Sequence, residues 1–417
     1  MALLKKFRQL ADARKSLAMV SEDPFRVTIE RLLSPTEAVV NGRPVILAGT
    51  NNYLGLTFDP QCIEAAAHAV REQGTGTTGS RMANGNFIGH LALERELAEF
   101  YGRRWCDVFS TGYLANLGVI SALAGPGDVI LIDADCHASI YDGCRMSGAE
   151  VIRFRHNDTA DLHKRLTRLG KRCPNTLIIA EGLYSMLGDR SALVEIAALK
   201  REHGAYLLLD EAHSLGVLGE RGRGRSEEAG VEDSVDFIVG TFSKSLGATG
   251  GFCVSDHPVM ELVRYASRPY IFTASLCPSV VASTRAALRR LRTAPELRLK
   301  LWTNAQRLYD SLKGLGFRLG PEPSPIIAVR IGQAEDTIAF WNGLFRQDVY
   351  VNMILPPATP DGGSLLRCSV SAAHTPDQID RICEAFASVK VILSSDRADS
   401  HGAIRPQAFH DGGSVRP

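Results

Sequence analysis

The sequence has 417 residues, of which 45% are hydrophobic and 22% are charged, and its formal net charge is +1. This composition predicts a soluble globular protein, and the near-neutral charge argues against a nucleic-acid-binding surface. The nine cysteines are scattered and include no CxxC pair, which predicts reduced thiols in a cytoplasmic protein and no metal site. No apolar run approaches the ~18 uncharged residues of a membrane span.

The N-terminal segment predicts a basic amphipathic helix. Leu3, Phe7, Leu10 and Leu17 fall on one helical face, and lysines and arginines surround it. Charged residues interrupt every apolar run, which excludes a secretory signal. We expect this helix to pack on its own protein or on a partner subunit, and peripheral contact with the inner face of a membrane is the alternative.

From about residue 105, short apolar runs alternate with helical patterns, which predicts an α/β domain with a mostly parallel central sheet flanked by helices. The predicted strands begin at Asp107, Val129, Thr176, Tyr206, Asp236 and Gly251. Most of these runs finish in polar or glycine residues. Because ligands bind outside the carboxyl ends of strands in open α/β sheets, we expect these ends to form one crevice.

The remainder of the chain predicts a smaller α+β lobe. Strand-like runs at Ile326–Ile331, Val349–Met353 and Ser364–Ser371 precede a helix from about Pro376 to Ile392, and the polar sequence from Ser394 predicts a disordered tail. We therefore expect an N-terminal helical and strand segment (1–45), a large domain (46–290), a small C-terminal domain (291–393) and the tail (394–417).

Lys244 and Asp210 each follow an apolar strand. A partly desolvated lysine with a lowered pKa is a carbonyl-capturing nucleophile, whereas an exposed loop lysine is the alternative. A carboxylate at the end of a buried strand is costly unless it meets a cation, and the protonated nitrogen of a pyridine ring is such a cation. A helix N-cap is the other interpretation of Asp210. His213 lies three residues after it and could orient it.

Residues that could bind a cofactor also follow two further predicted strands. His137 could stack on a planar cofactor or be a structural histidine. Gly112 and Tyr113 mark a turn into a helix, whose first N–H groups suit a phosphate or form a plain cap. Gly74–Gly79 matches the dinucleotide fingerprint G-x-G-x-x-G, but the preceding residues are helical, so we predict a glycine-rich loop beside the active site and not a nicotinamide site.

The order of these motifs resembles the α-oxoamine synthases, a family of fold-type-I enzymes that use pyridoxal 5'-phosphate (PLP). The likeness covers about residues 20–392 and rests on GTNNYLGL, GTGTTGSR, STGYLAN, DADCHASIYDG, RFRHND, EGLYSMLGD, DEAHSLGVLG, GTFSKSLGATGGF and LLRCSVSAAHT. The runs SPTEAVVNGR and RPYIFTASLCPSVVAST look most like the bacterial members that use serine. Leu187 agrees with this, since biotin-pathway and glycine-using members typically have an acid there.

The resemblance implies a role for each site residue. Lys244 forms the Schiff base with PLP and removes the substrate α-proton, Asp210 pairs with the ring nitrogen and His137 stacks on the ring. Arg367 grips the amino-acid carboxylate, which suits its planar fork. The remaining cofactor residues are Gly112, Tyr113, His213, Thr241, Ser243 and Thr273 of the partner subunit. The substrate-binding residues are Asn52, Ser80, His137 and Arg367.

The activity implied is the condensation of L-serine with a long-chain acyl thioester of coenzyme A or acyl carrier protein. The products are 3-ketodihydrosphingosine, carbon dioxide and the free thiol, and the enzyme is a cytoplasmic homodimer. Another α-oxoamine synthase, using alanine or glycine or making the biotin precursor, and a non-catalytic subunit of this fold are the alternatives. Some family members have Arg-Pro-Pro where this chain has Leu355-Pro356-Pro357, which leaves carboxylate handling during proton loss open.

Overall fold

The computed structural model describes residues 3–8, 11–12, 15, 26–356, 359 and 362–402. Within this part of the chain, no helix has both the length and the apolar character needed to cross a membrane. Leu3–Phe7 forms a 3-10 helix, and residues 4–8 are exposed. Leu10 and Leu17, on which the predicted amphipathic face depends, lie outside the described residues.

The first three strands form an antiparallel meander, and they are β1 (Arg31–Ser34), β2 (Glu37–Val40) and β3 (Arg43–Leu47). Asn41 and Gly42 connect β2 to β3 with φ values of 51° and 71°, which is the backbone that a tight two-residue hairpin turn requires. The predicted boundary between residues 45 and 46 falls within β3.

A seven-stranded sheet forms the centre of the molecule. Its strands are β4 (Trp105–Phe109), β5 (Val129–Asp133), β6 (Glu150–Phe154), β7 (Thr176–Glu181), β8 (Tyr206–Asp210), β9 (Phe237–Thr241) and β10 (Gly251–Ser255). Their spatial order is β4-β10-β9-β8-β7-β5-β6. The pairs from β9 to β6 are parallel, whereas β10 runs antiparallel to both β4 and β9. The prediction of a mostly parallel sheet is confirmed, and β6 is an edge strand that the sequence analysis missed.

Helices cover both faces of this sheet. They are Pro60–Gln73, Ile88–Tyr101, Gly112–Leu123, Ala138–Ser147, Thr159–Leu169, Leu193–His203, Arg225–Glu228, Met260–Ala266, Arg268–Ile271 and Pro278–Thr293, with 3-10 turns at Leu56–Phe58, Gly170–Asn175 and Glu232–Ser234. Leu131 of β5 packs into one apolar core, whereas its neighbours Ile130 and Ile132 pack into the other. Strands buried on both faces become continuous apolar runs for this reason. Gly74 follows a helix, as predicted.

The C-terminal lobe contains a second small sheet. The strands of this lobe are β11 (Arg318–Leu319), β12 (Ile326–Gly332), β13 (Val349–Tyr350), β14 (Asn352–Ile354) and β15 (Ser364–Ser369). The helices of the lobe are Pro295–Gly314, Ala334–Arg346 and Pro376–Gly402. The order β11-β12-β15-β14 leaves out β13, which pairs in parallel with β3. The run predicted as one strand over Val349–Met353 is therefore divided between two sheets, and the N-terminal meander belongs to this lobe.

The last helix is longer than expected. Its predicted end was Ile392, and the structure continues it to Gly402. Adding a residue to an existing helix costs little, and the polar residues from Ser394 contain no proline or glycine before Gly402. Residues 394–402 thus depart from the predicted disordered tail, and the rest of that tail, 403–417, lies outside the described residues.

Candidate active site

A cavity of about 280 Å³ opens at the carboxyl ends of the central strands. Glu181 ends β7, Asp210 ends β8 and Thr241 ends β9, so three adjacent parallel strands deliver polar side chains to one place. The residues that line it are Thr111, Gly112, Tyr113, Asn116, His137, Ser139, Glu181, Asp210, Ala212, His213, Val239, Gly240, Thr241, Ser243, Lys244, Thr249 and Gly250. The predicted crevice is present.

Asp210 is only 4% exposed. One carboxylate oxygen accepts a hydrogen bond from the Asn116 side-chain amide at 2.7 Å, and the other accepts from the Ala212 backbone N–H at 2.8 Å. Both of these donors are neutral. They orient the carboxylate without neutralising its charge, so a cation bound in the cavity would find an unscreened partner.

Lys244 follows β9 and lies half-buried on the cavity wall. Burial lowers its pKa from 10.5 to about 8, although the charges of Asp210 and Glu181 oppose this, and Arg367 adds to the lowering. An amine with that pKa is partly neutral near physiological pH. It can therefore attack a carbonyl and accept a proton, which a lysine with an ordinary pKa does poorly.

The start of the helix Gly112–Leu123 forms an anion cradle. Thr111 caps this helix by accepting the Leu114 N–H, and the preceding N–H groups remain for a ligand. The Thr241 and Ser243 hydroxyl oxygens lie 2.8 Å apart beside it. Gly112 is required here, because a Cβ atom would stand 2.8 Å from the Thr241 side chain.

Tyr113, the second residue of that helix, has a half-exposed side chain whose hydroxyl donates to Asp142 on the next helix. Its backbone N–H is one of the groups that the cap leaves free. The phenol is thus engaged with Asp142, and the contact of Tyr113 with a phosphate stays a prediction for its backbone N–H.

Two histidines face the cavity from different elements. His137 caps the helix Ala138–Ser147, and its ring Nδ1 lies 2.8 Å from the Ser139 hydroxyl. His213 is buried, and its Nδ1 lies 2.8 Å from the Tyr53 hydroxyl. Burial and the positive charges of Lys244 and Arg367 lower the pKa of His213 well below its usual value. His213 is therefore neutral and adds no second cation to the cavity.

Asn116, which orients Asp210, and Glu181 are two polar cavity residues that had no predicted role. Glu181 pairs with Asp210 across β7 and β8, and its carboxyl accepts the His137 backbone N–H at 2.5 Å. Burial and the Asp210 charge raise the pKa of Glu181 well above its usual value. Both residues stand inside motifs quoted for the resemblance, STGYLAN and EGLYSMLGD, and Glu181 also ends an apolar run, which was the available signal.

Arg367 lies on β15, in the lobe opposite the cavity, and is 6% exposed. Its Nε donates to the Ser185 carbonyl at 2.6 Å, and its Nη2 donates to the Asn51 side-chain oxygen at 3.1 Å. Asn51 also accepts from Tyr53, the partner of His213, at 3.3 Å. Arg367 does not itself line the cavity, although its charge acts on Lys244 and His213 there, and its direct contact with a substrate carboxylate stays a prediction.

The structure does not bring the other predicted residues to the cavity wall. Asn52 is buried and donates to the Thr57 hydroxyl at 2.8 Å, and the Ser80 carbonyl closes a turn with Gly85 at 2.9 Å. Thr273 lies outside the cavity of its own chain, and its service to a partner subunit stays a prediction. Leu355 is partly buried against the apolar core, and Pro357 lies outside the described residues.

The comparisons with known proteins agree with this geometry. The model of the family Aminotransferase class I and II matches residues 43–386. The chain belongs to this family. A serine palmitoyltransferase of Caulobacter vibrioides is 59% identical over 94% of the chain and 97% of its own length, and that of Sphingomonas paucimobilis is 53% identical over 92% of each. The predicted likeness to α-oxoamine synthases is confirmed.

A solved structure of SPT with a PLP internal aldimine superposes on this member of the family with a TM-score of 0.92. It is 51% identical in sequence, and the match covers 94% of this chain and 99% of that one. The predicted fold class is thereby confirmed.

The cavity residues fit PLP on chemical grounds. Asp210 suits a pyridinium nitrogen, Lys244 suits an aldehyde, and the hydroxyls of Thr241 and Ser243 with the helix start at Gly112 suit a phosphate. These residues stand at the ends of β4, β8 and β9, and β9 supplies both the lysine and the two hydroxyls.

Proposed function

We propose that the protein condenses L-serine with a long-chain acyl thioester, with PLP as cofactor, and releases carbon dioxide and the free thiol. The observation that carries the proposal is the meeting of Lys244 and Asp210 in one cavity, a lysine of lowered pKa and a buried carboxylate whose two hydrogen-bond donors are neutral. Serine palmitoyltransferase relatives at 59% and 53% identity along nearly the whole chain support this choice of substrate.

PLP supplies an electron sink for the α-carbon when it is bound. The protein supplies the rest. Lys244, with a pKa of about 8, takes the α-proton and later returns one. Asp210 would pair with the ring nitrogen, and the hydrogen bonds from Asn116 and the Ala212 N–H orient its carboxylate for that role. Arg367 binds the serine carboxylate, and His137, which lines the cavity, contacts the incoming thioester.

We further propose a homodimer in which Thr273 serves the phosphate of the neighbouring active site. Large apolar side chains are exposed on the segment that leads to this threonine, with Leu262 at 63%, Tyr265 at 64% and Phe272 at 73%. Exposure of this kind indicates a surface that a protein partner covers. We place the enzyme in the cytoplasm and expect its basic N-terminal segment to pack on the protein or on the partner subunit, with peripheral contact at the inner face of a membrane as the alternative.

Product analysis tests the proposal. The purified protein is incubated with PLP, one of serine, alanine or glycine, and acyl-coenzyme A or acyl-carrier-protein thioesters of different chain length, and the products are identified by mass spectrometry. We expect a 3-keto long-chain amino alcohol from serine. A product from alanine or glycine alone would assign the protein to another α-oxoamine synthase activity, and no product with any pair would indicate a non-catalytic subunit. Lys244→Ala is the control without turnover.

A further inference from the structure

His156, in the turn after β6, holds its imidazole ring between two carboxylates. Its Nδ1 lies 2.8 Å from the Asp133 carboxylate, and its Nε2 lies 2.7 Å from that of Asp189. A neutral imidazole carries one N–H and can donate only one of these hydrogen bonds. Both contacts are satisfied together only when both ring nitrogens are protonated.

The surroundings of the ring favour the imidazolium. Burial would lower the pKa of His156, but the hydrogen bonds and charges of Asp133 and Asp189 outweigh it and raise the pKa from 6.5 to about 10. Asp135 adds a third carboxylate 3.8 Å from Nδ1, and the Tyr184 ring meets the imidazole edge to face at 4.5 Å. The charge of Arg153 acts on the same cluster, where it lowers the pKa of Asp135 against the larger effect of burial, which raises it.

The two carboxylates belong to two segments that follow the neighbouring strands β5 and β7. Asp133 ends β5 and stands four residues before His137. Asp189 stands four residues after Ser185, whose carbonyl accepts the hydrogen bond from Arg367 Nε at 2.6 Å. The cation at position 156 therefore fastens the segment that carries His137 to the segment that orients Arg367.

Asn157 makes a second connection between the same segments. Its backbone N–H donates to Asp133 at 2.9 Å, and its side-chain amide donates to Asp189 at 3.0 Å and to the Arg190 carbonyl at 2.9 Å. It does so with φ at 52°, a left-handed conformation that asparagine tolerates better than most residues. Two adjacent residues of RFRHND, His156 and Asn157, thus connect the Asp133 segment to the Asp189 segment.

We propose that His156 is a positioning residue for the amino-acid carboxylate. As a fixed cation between Asp133 and Asp189, it sets the position of Ser185 and, through Ser185, the direction of the Arg367 guanidinium. The inference rests on the proposed function for the identity of the amino acid. It does not rest on the acyl transfer, because amino-acid binding precedes any contact with the thioester.

The test measures binding in the PLP-loaded protein without an acyl donor. Serine, alanine and glycine are each titrated by absorbance into wild type, His156→Gln and Asp189→Asn, and the affinity for PLP is measured separately by fluorescence. His257→Gln is the matched control, since His257 contacts Tyr206 and Phe237 at the amino ends of β8 and β9, whereas the cavity lies at their carboxyl ends. Circular dichroism shows which variants are folded.

We expect His156→Gln to weaken amino-acid binding about tenfold, the value of one hydrogen bond between charged groups, while PLP affinity changes by less than about twofold. Asp189→Asn keeps the shape of the side chain and should show the same selective loss, so it carries the test if His156→Gln fails to fold. Unchanged amino-acid affinity in a folded variant, or equal losses for amino acid and PLP, would overturn the proposal. If wild type binds alanine or glycine but not serine, the proposed function fails while the positioning role is still measured.

Discussion

Replacing Arg367 by alanine should remove serine binding while leaving the cofactor in place. Arginine has five N–H donors. In the structure Nε serves the Ser185 carbonyl and one Nη2 hydrogen serves Asn51, so three donors remain for an incoming carboxylate. The side chain is also nearly fully buried. A carboxylate left in this place without its partner would be desolvated and unpaired.

The size of the loss follows from that burial. Truncating one partner of a buried hydrogen-bonded charge pair costs about 2–5 kcal/mol. The lower end already corresponds to about a thirtyfold weaker serine affinity. PLP affinity should change little, because the described contacts of Arg367 are with Ser185 and Asn51 and neither residue lines the cavity.

Serine titrated by absorbance into the PLP-loaded protein measures this effect. Arg318→Ala is the matched control, since Arg318 is an exposed arginine on β11 of the same small sheet. Arg367→Lys keeps the charge but loses the fork, so it should recover only part of the affinity. A folded Arg367→Ala protein that binds serine like wild type would refute the carboxylate role and would leave Arg367 as a brace between the lobes.

The remaining predictions concern other parts of the molecule. Lys244→Ala should lose covalent attachment of PLP after borohydride reduction and all turnover, and wild-type turnover in this variant would contradict the central assignment. Glu181→Gln should keep PLP binding and turnover close to wild type, because burial and the Asp210 charge raise the pKa of Glu181 and so favour its neutral form, and a large loss would show that its charge matters. The pKa of His156 is about 10 in the folded protein, against 6.5 for an unperturbed histidine. The contribution of His156 to the free energy of unfolding is therefore complete below pH 6.5 and is lost as the pH rises through 10. The difference in unfolding free energy between wild type and His156→Gln should therefore shrink over that range in denaturant titrations, and a difference that grows would contradict the imidazolium. Sizing chromatography at micromolar concentration should show a dimer, and a fully active monomer would remove the role of Thr273.

The central strands could be predicted because they are buried on both faces. β5, β7 and β8 are continuous apolar runs in sequence, and their side chains enter the two cores alternately. β6 was missed because it lies at the edge of the sheet, where Glu150 and Arg153 remain largely exposed. The run at Val349–Met353 was predicted as one strand because the sequence does not show that its two halves pair with different sheets.

The residues of the candidate site likewise include some that the local sequence predicts and some that it does not. Lys244 and Asp210 stand out locally, because a charged residue directly after an apolar strand is costly unless it has a use. Glu181 is a similar case that went unassigned, since its effect depends on its pairing with Asp210 in the next strand. Asn116 reaches Asp210 from 94 residues away. The network of His156 likewise joins residues that are distant in sequence, and no local pattern encodes such pairings.

The pairing of β3 with β13 has a consequence for how the chain is made. Strands near the N-terminus complete a lobe whose other strands are among the last to be synthesised, and Asn352 reaches Gly49 across 303 residues. At the usual rate of about 5–20 residues per second, the β3 edge waits at least about 15 seconds for its partner. An open strand edge is prone to wrong pairing during such a delay. The β15 backbone also bonds to Ala48, so the Arg367 subsite is assembled only when the two ends of the chain meet.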